Sequence, residues 1–281
     1  MSISSPVSFA RGLADPLQPN RLKALSGLNA WMAASGASHE FTPVEIDQLW
    51  RALQYTMWMA DKRPVQQQVA AEIVLLVRKI DPRYVTEWNR GFWFNLEKIY
   101  ETIDKYRIPK FHLFIRIYVA EMLHQMQQRN WDAEFVGACV DGILSNLKKS
   151  VGAYIQLLTV LIPELTATVG EDIRGVIKKA ETFRMLLKPA VNVVSKSADF
   201  PFSVVSKAVS EVLSNEKVIK YTAKTREWVK GEMQSVAMNK ETSQEVRDLL
   251  YSALDSIKEM VEVAADVGGK NKNMKKKARI E

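Results

Sequence analysis

The 281-residue sequence predicts an all-α protein, an irregular helical-repeat stack of the HEAT-like α-solenoid kind that ends in a disordered basic tail. Apolar residues recur at steps of three and four along most of the chain, the spacing of one helix face. The intervals between these stripes are short and marked by Pro, Gly or Asp, and no segment alternates long enough to read as a strand. Helix pairs of similar length joined by short turns bury their faces on their neighbours, which is the logic of a stack. No tetratricopeptide or ankyrin consensus repeats, so any repeat is structural and degenerate.

The elements follow in order. After Thr42, the residues Ile46, Leu49, Trp50, Leu53 and Met57 mark a helix face. Thr42-Pro43-Val44-Glu45 starts that helix with a threonine N-cap, a proline at the first position and a glutamate placed to close a capping box. Pro64 begins the next helix, whose stripe Val65, Val69, Ile73, Leu76, Val77 and Ile80 ends at Asp81-Pro82. The connection at residues 61–63 is short enough to make the pair an antiparallel hairpin. Further stripes run through Val85, Trp88, Phe92, Leu96, Ile99 and Ile103, through Phe111, Phe114, Ile115, Tyr118 and Met122, and through Phe135, Cys139, Ile143 and Leu147. Two more run through Ile155, Leu158, Ile162 and Leu165, and through Ile173, Val176, Ile177, Ala180, Phe183 and Leu187. Lys188-Pro189 is expected to stop the last of these, and residues 195–202 to connect onward. Helical patterns then occupy about 203–239 and 241–265, giving three regions: a main domain at 1–215, further helices packed on it at 216–267, and the tail at 268–281.

A hydrophobic share of 47% and a charged share of 25% are ordinary for a globular chain, which should fold without metals or disulfides. A single cysteine, Cys139, cannot form an internal bridge and fits a reducing compartment. The first nine residues lack a basic stretch followed by an apolar one, so neither a secretory signal nor a mitochondrial presequence is expected. The most apolar run, Ile155 to Ile162, falls short of the roughly 20 residues that cross a bilayer, and the protein is expected to be soluble. The net charge of +7 is concentrated at the end, where Lys270, Lys272, Lys275, Lys276, Lys277 and Arg279 stand against Glu281 alone. With almost no apolar residues, that tail cannot offset its ordering entropy.

No chemistry emerges from the motifs. Glu121-Met-Leu-His124 has the Glu-x-x-His spacing of a di-iron bundle, but His39 and His112 supply no second pair, so His124 reads as structural. Gly170 and Gly175 are spaced as in a phosphate loop, yet Val176-Ile177 stand where a lysine and a hydroxyl would be needed. Cys139 sits on an apolar stripe, as a core thiol does. No carboxylate pair lies in an apolar setting that would separate its pKa values. Catalytic, cofactor and metal residues are therefore not expected.

The stretch from Leu49 to Pro64 holds two tryptophans, a tyrosine and two methionines. A base-stacking platform would interleave exposed rings with cations, and only Arg51 lies inside the run, so the stretch reads as the inside of a helix. Leu49, Trp50, Leu53, Tyr55, Met57, Trp58, Met59, Asp61, Lys62, Pro64 and Gln67, within Phe41 to Ala70, resemble the signature of the eukaryotic ribosomal-RNA-processing-protein-one family, the nucleolar family also called Nop fifty-two. The resemblance extends over about residues 9–215, through the Phe9-Ala10 element, the Trp88 to Trp93 aromatics and the segment from Ile108 to Leu123. In the later segment from Val151 to Leu165, Gln156 stands where that family has a histidine.

The resemblance implies a non-catalytic nucleolar assembly factor of the large ribosomal subunit that supports precursor-rRNA processing. Its partners would be the large-subunit precursor particle, precursor rRNA, other assembly factors and ribosomal proteins, with no membrane and no small-molecule substrate. In that setting the helical body acts as a docking scaffold, and the tail cations contribute phosphate contacts and a nuclear-import signal. Lys217, Lys220 and Lys224 share one predicted helix face, which reads either as a second RNA-contacting strip or as a solvated face balanced by Glu216, Glu227 and Glu232. Asp61, Lys62 and Arg63 are exposed at the hairpin turn, where they face a partner unless Asp61 simply caps the next helix. A general nuclear helical adaptor without rRNA contact is the alternative.

Overall fold

The computed structural model describes residues 6–170 and 179–277, with side chains described as far as Glu262. Among these residues there are thirteen α-helices and no strand. The chain divides into two compact units, residues 1–172 and 173–281.

In the first unit, α1 (Ala10–Leu13) and α2 (Gln18–Ser35) lead into α3 (Pro43–Trp58), α4 (Arg63–Val74), α5 (Val85–Tyr100), α6 (Ile108–Gln128), α7 (Ala133–Asn146) and α8 (Val151–Val169). Packing follows parity: α3 lies on α5 and α5 on α7, while α4 lies on α6 and α6 on α8. These are two rows of helices joined hairpin by hairpin, as the short turns and one-faced stripes predict.

Local chemistry sets the boundaries. The capping box forms as expected: the Glu45 backbone N–H donates to Thr42 Oγ1 at 3.2 Å, and the Thr42 N–H donates to Glu45 Oε2 at 3.0 Å. At the end of α6, the Asn130 N–H donates to the Gln127 carbonyl and the Trp131 N–H to that of Met126, both at 2.9 Å. This is a Schellman closure with asparagine in the left-handed position (φ 49°) that more often takes glycine. Trp131 is also left-handed and its ring is buried, after which the Asp132 carboxylate accepts the Phe135 N–H at 2.9 Å and starts α7.

Helices α3 and α5 meet along an aromatic seam. Trp50 Nε1 and Gln54 Nε2 donate to the Trp88 and Phe92 carbonyls at 2.9 and 3.0 Å, and Phe92 stacks on Tyr118 of α6 with centroids 3.6 Å apart. Trp50, Leu53 and Met57 are fully buried, as predicted from their spacing, while Tyr55 is exposed and Trp58 half-buried, so the aromatic run is mainly core. The Ile155 to Ile162 run lies within α8, which by length and composition alone could cross a membrane; half of its most apolar stretch is buried in the fold, packed on α6 and α5.

The second unit contains α9 (Ala180–Ser195), α10 (Phe202–Lys207) running into a π-helical turn (Ala208–Leu213), α11 (Glu216–Ile219), α12 (Ala223–Met238) and α13 (Gln244–Lys277). Helix α9 packs on the π-turn and on α12, and α12 packs on α13. Several expectations are corrected here. Pro189 does not end α9; it lies inside the helix, buried among Phe183, Leu186, Leu187, Ala190, Val193 and Val194. A proline in a helix interior costs about 3 kcal/mol, which burial of that stripe outweighs. The single pattern over 203–239 is broken because Asn215 and Thr222 turn their side chains onto the backbone N–H groups of Lys217 and Thr225, each at 3.0 Å, and start new helices. The division between units falls after residue 172, not at 215, because α9 packs with the helices that follow it. Helical backbone continues through Gly268 and Gly269 to Lys277, so the tail boundary expected at 268 is not a helix end. Lysine is a good helix former and favours the C-terminal end of a helix dipole.

Candidate nucleic-acid and partner interface

The residues around the α3–α4 turn are organised by carbonyl groups that α3 leaves unpaired at its end. Lys110, at the start of α6, donates from Nζ to the Ala60 carbonyl at 2.7 Å and also to that of Trp58. Arg21 of α2 donates from Nη2 to the Met59 carbonyl at 2.8 Å. Gln66 Nε2 donates to the carbonyls of Ala60 and Asp61 at 3.1 and 2.8 Å. Burial pulls the Lys110 ammonium below its ordinary value, and the nearby Asp61 carboxylate opposes that pull. The turn is thus held from three sides while Asp61, Lys62 and Arg63 remain exposed. Asp61 does not cap α4: the N-cap position belongs to Lys62 and no side chain closes it.

Sequence reading did not single out Arg21 or Lys110. The only signal was a lysine placed directly before the apolar run that starts at Phe111. Burying a cation is costly unless it is paired, and here backbone carbonyls take the part of counter-charges.

Two neighbouring turns continue the same edge. The Arg107 guanidinium of the α5–α6 turn lies 5.5 Å from the Trp58 ring centre. In the α7–α8 turn, the N–H groups of Lys148, Lys149 and Ser150 donate to the Glu97 carboxylate of α5 at 3.1, 2.6 and 3.2 Å. Glu97 thereby supplies the negative charge that the start of α8 favours, and the Lys148 and Lys149 side chains are left exposed.

The cations expected at 217–224 are dispersed. Lys217 lies on α11, Lys220 follows it and is ion-paired with Glu216, and Lys224 belongs to the next helix, so the shared helix face does not exist. All three are exposed. Lys270, Lys272, Lys275, Lys276 and Lys277 lie on the last turns of α13, where side chains are outside the described residues, and Arg279 is wholly outside them.

The groups weighed for chemistry are occupied structurally. Glu121 accepts from Arg78 Nε and Nη2 at 2.8 and 2.6 Å and from Gln125 Nε2 at 2.6 Å, so it is not held toward His124 as a metal ligand. The Asn89 amide donates to Cys139 Sγ at 3.3 Å and accepts from the Tyr118 hydroxyl at 2.5 Å. Burial pushes the Cys139 thiol up to about 12 and keeps it neutral. Gln156, in the position where the resembling family has histidine, donates to the backbone carbonyl of His112 at 3.2 Å. The second half of the phosphate-loop spacing, after Gly170, lies outside the described residues. Among the described residues, no three His, Cys, Asp or Glu side chains converge to hold a metal ion.

Residues 4–278 match the family described as nucleolar protein, Nop52. The chain belongs to the Nop52 family. The match runs past residue 215, where the resemblance read from the signature ends, and takes in both units. Among relatives, the ribosomal RNA processing protein 1 homolog of Drosophila melanogaster is 27% identical over 206 residues, covering 71% of this chain and 29% of that protein. Homolog B of Mus musculus is 24% identical over 224 residues, 76% of this chain and 30% of the relative. Homolog A of the same species is 30% identical over 129 residues, 45% and 26% respectively. The Nop52 region described here therefore spans about three tenths of the relatives' length.

Proposed function

We propose that this protein is a non-catalytic nucleolar assembly factor for the large ribosomal subunit, supporting precursor-rRNA processing as a helical scaffold. The observation that carries the reading is the Nop52 match over residues 4–278, together with relatives whose names assign them to ribosomal RNA processing. Two groups support it: the buried Cys139 thiol is kept neutral, and the Glu121 carboxylate is engaged by Arg78 as part of the packing frame. On this reading the two rows of helices offer rigid faces to ribosomal proteins and assembly factors of the precursor particle. Asp61, Lys62 and Arg63 face a partner, while Lys217, Lys220, Lys224 and the cations Lys270, Lys272, Lys275, Lys276, Lys277 and Arg279 contribute phosphate contacts. Such contacts weaken steeply with salt, because neutralised phosphates release their counterions.

The test is ultraviolet cross-linking of the tagged protein in cells, with sequencing of the attached RNA and sedimentation of the protein on gradients. Discrete sites in large-subunit precursor RNA, with co-sedimentation in precursor particles, are the expected result. Nuclear protein that sediments free of such particles would replace this reading with a general helical adaptor.

A further inference from the structure

The parity of the stack puts the α3–α4, α5–α6 and α7–α8 turns on one edge of the first unit, and the α2–α3 and α4–α5 turns at the other ends of the same helices. The first three turns are in direct register, as the Lys110, Arg107 and Glu97 contacts show. At the far edge, Arg83 pairs with Asp81 at 3.2 Å and lies 4.0 Å from Glu40, so its charge is met locally. On the near edge, Asp104 and Arg107 pair with each other, and the exposed side chains of Lys62, Arg63, Lys105, Lys148 and Lys149 have no ion pair among the described residues and outnumber the exposed carboxylates of Asp61 and Glu101 in the same turns. Amid these cations Tyr106 is 82% exposed, with the Lys105 ammonium 5.1 Å from its ring centre. A ring so open contributes nothing to the core. The backbone N–H groups of Lys148, Lys149 and Ser150, in the turn before α8, are already taken by Glu97, so anion recognition in this turn belongs to the Lys148 and Lys149 side chains.

We infer that this edge is a binding track for single-stranded RNA, in which Lys62, Arg63, Lys105, Lys148 and Lys149 follow the phosphate backbone and Tyr106 stacks on a base. Cations spread over three successive turns suit an extended polyanion better than a single phosphate. An exposed aromatic among them is the second component of sequence-tolerant single-strand binding. The rigidity of the turns, each tied to its neighbour by a buried cation or a carboxylate, keeps the row in place before RNA arrives. This inference deepens the proposed function by naming the partner of the hairpin turn, and it rests on that reading for its biological setting.

The test uses the purified full chain and a fluorescent polyuridine oligonucleotide, with affinity measured by anisotropy over a range of salt concentrations. Lys62→Gln/Arg63→Gln, Lys105→Gln and Lys148→Gln/Lys149→Gln should each weaken binding and make the salt dependence shallower. Tyr106→Ala should weaken it roughly tenfold with the salt dependence unchanged, because stacking releases no counterions. Arg83→Gln, on the far edge, should leave both unchanged. Unaltered affinity in the edge variants, or loss confined to a chain whose five tail lysines are changed to glutamine, overturns the track. So does polyglutamate binding that is tighter than RNA binding and indifferent to Tyr106, which would assign the edge to an acidic protein. The assay contains no ribosomal particle, so it can fail while the cross-linking experiment succeeds, and the converse also holds.

Discussion

Gly91 shows how one residue sets the distance between two helices. A Cβ built there would lie 2.6 Å from Trp50 Cδ1 and 2.8 Å from Ile46 Cγ2, both in the packed seam between α3 and α5. Gly91→Ala should therefore destabilise the protein by about 1–3 kcal/mol despite its better helix propensity, read as a lower midpoint in chemical denaturation. An unchanged or raised midpoint would mean the seam yields freely. Cys139 offers a second test, through pH. Burial raises its thiol from the ordinary 9.0 to about 12 and that of the Tyr118 hydroxyl above its usual value. The folded state then holds a proton that the unfolded state releases from about pH 9. The stability tied to the neutral thiol is full below pH 9 and is lost as pH rises toward 12. Cys139→Ala should flatten the alkaline fall in melting temperature, and the native thiol should resist alkylation at pH 8 until denaturant is added.

For an element, the question is where its end groups find partners. Helix α3 ends against Arg21, Lys110 and Gln66, which take up the carbonyls from Trp58 to Asp61. Lys110→Met keeps the aliphatic stem but removes the donor, and should cost about 1–3 kcal/mol in thermal or chemical unfolding. Asp61→Ala should fall within about 0.5 kcal/mol of the parent, since Asp61 is exposed and caps nothing. A loss from Asp61→Ala comparable to that from Lys110→Met would show that the carboxylate, not the carbonyl cradle, holds the turn. The same logic explains α8, which begins where Glu97, on the third helix before it, gathers three backbone N–H groups. That carboxylate lies some fifty residues from the groups it binds, too far for any local capping pattern to reveal it.

Across the whole molecule, stability and binding surface separate. The described buried residues of α13 are Val246, Leu250, Ala253, Leu254 and Ile257, all ahead of the lysine-rich turns. A chain ending at Val267 should therefore keep its melting temperature within a few degrees, while the RNA contacts proposed for the tail should be lost and RNA binding should depend less on salt. A large thermal loss on truncation would instead make the basic turns part of the fold. The α3–α5 seam lies within the first compact unit and the α12–α13 pair within the second.

Periodicity was enough to determine the all-α class, the hairpin turn expected at residues 61–63, the capping box at Thr42 and the buried face of Trp50, Leu53 and Met57, because each depends on spacing within a few residues. The signature from Phe41 to Ala70 was likewise sufficient for the family. Local rules misjudged Pro189, where burial outweighed a missing hydrogen bond, and the single helix over 203–239, where Asn215 and Thr222 captured the backbone. Only the tertiary structure decided that Lys110 is buried while Lys148 and Lys149 are exposed, and that three turns distant in sequence share one edge. The physical reason is that charge exposure depends on which carbonyl or carboxylate a folded neighbour presents, and those neighbours lie about fifty residues apart along the chain.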